Sequence, residues 1–88
     1  MKISKQFLLR NVAGRNVIVP VGSAVLDFNA MITVNETGAF LFSLLQENDM
    51  TEEQLVDAIT AEYDVSKEKA AEDIKAFCEK IVAAGITE

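Results

Sequence analysis

Ile32-Thr33-Val34-Asn35-Glu36-Thr37-Gly38-Ala39-Phe40-Leu41-Phe42 is the stretch whose reading settles the fold. It begins inside a short β-prone run, Ala30-Met31-Ile32-Thr33-Val34, and then changes to a helical pattern. Asn35 stands at the change, where its side-chain oxygen can accept an N–H of the opening helical turn. Ala39, Phe40, Leu41, Phe42, Leu44 and Leu45 follow so densely that this helix is expected to be buried on most sides. Gln46-Glu47-Asn48-Asp49 closes it.

Upstream lies a pair of strands. Phe7-Leu8-Leu9-Arg10-Asn11-Val12 and Arg15-Asn16-Val17-Ile18-Val19 flank Ala13-Gly14, the pattern of a hairpin about a tight turn. Pro20 cannot donate a ladder hydrogen bond and marks a strand end or a sheet edge. Residues 21–29 read as a loop, so residues 30–34 become the third strand.

Downstream lie two more helices. Thr51-Glu52-Glu53-Gln54 is a capping box, with Met50 and Leu55 at the two positions of a hydrophobic staple, and Leu55, Ile59 and Tyr63 share one face. The last helix starts after Ser66 and carries Ala70, Ile74, Phe77 and Ile81 at helical spacing. Gly85 suits a left-handed C-terminal cap, which would lay Ile86 over Ile81. The fold class is therefore α+β and winged-helix-like, a three-stranded antiparallel sheet followed by a three-helix bundle.

With 88 residues, no repeat and one proline, residues 1–88 are expected to form a single domain. One cysteine, Cys78, excludes an internal disulfide, and a chain without histidine lacks the usual ligand set for structural zinc; no metal and no cofactor are expected. No apolar run reaches the roughly 18 residues of a membrane span, and the N-terminus lacks a secretory h-region, so a cytoplasmic protein without a membrane partner is expected. The net charge of −6 is uneven: residues 1–20 hold Lys2, Lys5, Arg10 and Arg15 and no acid, whereas all fourteen acids lie beyond them with four lysines. Proteins that grip nucleic acid do so with cations against phosphates, so no nucleic-acid partner is expected. The bland reading of the acidity is solubility.

An enzyme is not expected either. Histidine, the commonest acid–base group, is absent, and adjacent carboxylates such as Glu52/Glu53 and Glu72/Asp73 do not face each other on a helix. Ser23, Ser43 and Ser66 lack the Asp-Ser-Leu setting of an acyl carrier protein's prosthetic-group serine. The last helix balances its lysines with acids and has no arginine, unlike a DNA-reading helix. A binding surface is suggested instead by that helix, where Ala71, Cys78 and Val82 widen the apolar stripe on one flank, with Lys75 at their margin. The competing reading is that this flank packs against another element, with Cys78 a small buried hydrophobe.

Together, Phe7-Leu8-Leu9-Arg10-Asn11-Val12-Ala13-Gly14, the strand-to-helix stretch from Ile32 to Phe42, Thr51-Glu52-Glu53-Gln54-Leu55-Val56 and the closing Ala84-Gly85-Ile86 resemble the PqqD family, the recognition element for precursors of ribosomally made, modified peptides. The resemblance covers about residues 5–87. It implies a non-catalytic peptide chaperone that binds a precursor's leader segment by strand addition and presents it to a modifying enzyme, in this family often a radical S-adenosylmethionine maturase. Carried onto this chain, the peptide-binding edge would be Ala30, Met31, Ile32, Thr33 and Val34, and the helix wall Ala71, Ile74, Lys75, Cys78 and Val82. Lys75 would pair with an acidic leader residue. The same uncovered edge could pair two copies into a homodimer. The alternative is a protein–protein interaction or regulatory winged-helix module, without nucleic-acid binding, that meets a folded partner through its acidic helices.

Overall fold

The computed structural model describes residues 1–22 and 32–87. Strands β1 (Phe7–Val12) and β2 (Arg15–Pro20) form an antiparallel hairpin in which Leu9 faces Ile18 and Val12 faces Arg15. The turn takes φ of 52° at Ala13 and 81° at Gly14. Positive φ at both central residues is the turn geometry whose twist matches that of the flanking strands. Strand β3 (Ile32–Val34) joins the other side of β2, with Ile18 opposite Ile32 and Val17 opposite Thr33. The sheet order β1-β2-β3 leaves β3 at an edge. Of the third strand expected over residues 30–34, Ala30 and Met31 lie outside the described residues.

Three helices follow, each opened by the cap its sequence offers. Helix α1 (Glu36–Glu47) starts with the Gly38 amide donating to Asn35 Oδ1 at 2.8 Å. Helix α2 (Glu52–Glu62) has both bonds of the capping box, Gln54 N–H to Thr51 Oγ1 and Thr51 N–H to Gln54 Oε1. Helix α3 (Lys67–Ala83) is capped by Ser66. Beyond it Gly85, at φ 74°, donates to the Val82 carbonyl, and Ile86 donates to that of Ile81. This bond pair is the Schellman closure, and it folds the buried Ile86 back onto the buried Ile81. No helix among the described residues is long and apolar enough to cross a membrane.

The core lies between the inner face of the sheet, represented by Phe7, Ile18 and Val34, and the helices, which contribute Phe42, Leu45, Leu55, Ile59, Ile74 and Ile81. Ile3 belongs to it as well. The segment before β1 is tied down by Ile3 N–H to Leu45 O, by Ser4 N–H to Ile86 O, and by a bridge between Ile3 and Thr87. Sequence reading assigned that segment to no element, because one apolar residue between Lys2 and Ser4 has no periodicity to detect.

One close approach fixes how α1 leaves β3. Gly38, in the first turn of α1, sits so close beneath β3 that a Cβ there would lie 3.0 Å from Val34 Cβ and 3.3 Å from Asn35 Oδ1. The missing side chain lets α1 start directly against the strand it leaves. Gly38→Ala should therefore destabilise the fold by about 1 kcal/mol net, because overpacking outweighs the better helix propensity of alanine. Thermal melts check this, with a drop of roughly 4–8 °C expected for a domain of this size; a rise would show that the approach is not limiting.

Candidate functional site

Strand β3 pairs with β2 along one edge, and among the described residues no strand pairs with the other. In an antiparallel pair, residues alternate between those whose N–H and C=O face the partner strand and those whose groups face away. The Thr33 carbonyl accepts a bond from Lys80 Nζ at 3.0 Å. Thr33 thus belongs to the outward set, and Ile32 and Val34, on either side, direct their backbone groups to β2.

Beside this edge lies a groove of ≈ 380 Å³. Thr33 and Val34 form one wall, continued by Asn35, Thr37 and Gly38 around the start of α1, and Asp73, Ala76, Phe77 and Lys80 of α3 form the other. The four α3 positions follow the i, i+3, i+4, i+7 pattern of one helix face. Phe77 is 8% exposed and gives the groove an apolar floor that is also part of the core. Ala76 is exposed and small, which keeps the groove open. Asp73 is bound by Lys69 Nζ at 3.1 Å, and that hydrogen bond, with the carboxylate's charge, raises the Lys69 pKa above its ordinary value.

The helix wall expected from sequence needs correction. Lys75, Cys78 and Val82 do come together, but around a separate concavity of ≈ 400 Å³ shared with Met1, Glu52, Glu79 and Ala83. At 100° per residue they lie on the opposite flank of α3's buried stripe from Asp73, Ala76 and Lys80. Lys75 is exposed there, lining the same concavity as Glu52 and Glu79, and is not among the residues that line the groove beside β3. Ala71 is exposed on the same flank, and Ile74 is buried in the core, 1% exposed. Of the expected set, Ile32, Thr33 and Val34 stand at the edge; Ala30 and Met31 fall outside the described residues.

Cys78 is 3% exposed. Burial, followed by the Glu52 charge, pushes its thiol pKa up, so it stays protonated and behaves as a small apolar side chain. Among the described residues no group of three or more His, Cys, Asp or Glu side chains could hold a metal ion. Sequence reasoning missed Asp73, Ala76 and Lys80, and it counted Phe77 only as core. Their signal is faint because a wall facing a polar backbone edge needs no apolar run.

No curated protein matches the chain in sequence. Among solved structures, it is similar to one described as TbiB1 in complex with the TbiA(beta) leader peptide, with a TM-score of 0.73 and 25% identity over 100% of this chain and 95% of that one. The family model for coenzyme PQQ synthesis protein D matches residues 16–86, a span that takes in the hairpin's second strand, the β3 edge, the groove and helices α1, α2 and α3, and the chain therefore belongs to the PqqD family.

Proposed function

We propose that this protein binds the leader segment of a ribosomally made precursor peptide as an added strand on β3 and presents it to a modifying enzyme, which supplies the chemistry. The observation that carries the reading is the outward-facing backbone of Thr33 beside a groove floored by Phe77. An extended peptide on that edge would pair its own N–H and C=O with Thr33, and backbone bonds of this kind give affinity without demanding a particular sequence. Its alternate side chains would enter the groove between β3 and α3, where the apolar floor and the two charged margins give selectivity. Membership of the PqqD family and the likeness to a structure that holds a leader peptide support the same reading.

Such a role asks for no catalytic group. Holding a substrate near an enzyme raises its effective concentration, which increases turnover with no reactive side chain on the binder. The partner enzyme in this reading is a radical S-adenosylmethionine maturase or another enzyme of peptide modification.

The contributing face of α3 is open to a direct test. Ala76→Arg places a long cation in the groove from an exposed position and should weaken leader binding by about tenfold or more, equivalent to about 1.4 kcal/mol. Val82→Arg, on the other flank and already 53% exposed, should leave affinity within about twofold of wild type. Fluorescence anisotropy with a labelled extended peptide selected for binding to the wild-type chain reads both. The reverse pattern would move the site to the Lys75 flank. Cys78→Arg is unsuitable as a groove-filling variant, because it buries a charge in the core and should unfold the protein.

The strand edge makes a separate prediction. Thr33→Pro removes an outward N–H while sparing the bonds to β2, so it should weaken leader binding by about tenfold with little change in melting temperature. Ile32→Pro removes an inward N–H and should lower the melting temperature as well. Wild-type affinity in a folded Thr33→Pro protein would rule out strand addition at β3.

A further inference from the structure

Resting on the reading of the β3 groove as the peptide site, we infer that Lys80 guards the strand edge in the free protein and, once displaced, selects peptides that carry an acidic side chain at one position. The guarding follows from geometry. Lys80 Nζ donates to the Thr33 carbonyl at 3.0 Å, the acceptor that an added strand's N–H would take. An exposed sheet edge is prone to pair with any extended chain, and a lysine laid on it is a recurrent way to blunt that tendency. Here the lysine comes from the neighbouring helix, so it can leave without disturbing the strand.

The selectivity follows from what Lys80 must do next. An incoming strand takes the Thr33 carbonyl, and the ammonium group loses its acceptor while remaining on the groove's wall. Alternate residues of an extended peptide point to one side, so every second side chain of the added strand faces α3. A carboxylate at the position nearest Lys80 would replace the lost bond with a charge-assisted one. The other charged residue of the groove, Asp73, already has Lys69 as its counter-ion at 3.1 Å. Lys80 is therefore the groove's available cation, and its preference runs against the long-range field of a chain with net charge −6, which favours cationic peptides. An acidic preference at a single position is thus a local signature.

Removing the ammonium has two opposite effects. A neutral peptide gains, because it no longer competes with Lys80 for the Thr33 carbonyl. A peptide with the acidic residue loses its ion pair. A merely structural lysine would shift both peptides in the same direction.

The test is selection from a displayed library of random dodecapeptides on the immobilised full chain, in wild-type, Lys80→Met and Lys80→Arg forms. Amide shifts of the isotope-labelled protein locate each enriched peptide. Wild type and Lys80→Arg should enrich Asp or Glu at one register position, and Lys80→Met should lose that enrichment. Changing the acid of a selected peptide to its amide should cost about two- to fivefold on wild type, the range of an exposed ion pair, and nothing on Lys80→Met. Peptides that shift Thr33 and Phe77 but show no acidic preference, or keep it on Lys80→Met, would overturn the role of Lys80 and leave the groove as the peptide site. Absence of any enriched peptide that shifts Thr33 would overturn the groove reading together with this inference.

Discussion

The rotation of α3 about its own axis is the constraint on which the site depends. Ala70, Ile74, Phe77 and Ile81 are all buried, and together they fix which way each other residue of the helix points. The Schellman closure reinforces this at the C-terminal end by seating Ile86 in the core through the bond to Ile81 O. With the stripe so held, Asp73, Ala76 and Lys80 have no choice but to face β3, and Lys75, Cys78 and Val82 no choice but to face Met1 and the start of α2. The direction in which the groove's helical wall faces is thus set by the buried face of the same helix.

The strand side of the groove is placed by different contacts. Among the described residues β3 pairs through Ile32, Thr33 and Val34, too few for stability of their own. It is held by β2 on one edge and by the direct entry into α1 at its end, where the Asn35 cap and the absence of a Cβ at Gly38 bring helix and strand together. Lys80 covers the outward carbonyl of Thr33 on the free edge. A covering cation is one means by which proteins keep an edge from pairing indiscriminately.

Most of the fold was legible because its signals are local. The hairpin came from two β-prone runs about Ala13-Gly14, the helix starts from Asn35, Thr51 and Ser66, and the last helix end from Gly85 followed by Ile86. Each of these depends on residues within a few positions of one another. Ile3 was not legible, because its burial depends on Leu45 and Thr87, far away in sequence. The third strand was legible at Ile32, Thr33 and Val34 for the same local reason. The helix wall beside β3 was not, since which flank of α3's stripe lies nearer β3 follows from how the helices are stacked. The flank expected from sequence is the more apolar one, but of its Ala71, Cys78 and Val82 only Cys78 is buried, and it belongs to the core.

That last difference bears on how such a site should be sought. A concavity built to bury side chains announces itself by apolar residues, whereas an edge that offers backbone groups can be walled by an alanine, an aspartate and a lysine around a single aromatic floor. The energy of strand addition comes from N–H and C=O groups that every residue carries, so residue identity on the wall is free to serve selectivity alone. Charged residues at the rim of an interface contribute little to raw affinity but strongly to the choice of partner. The polar positions that flank the buried stripe of α3 are of this kind, and periodicity analysis, tuned to apolar spacing, registers them only as a solvated face.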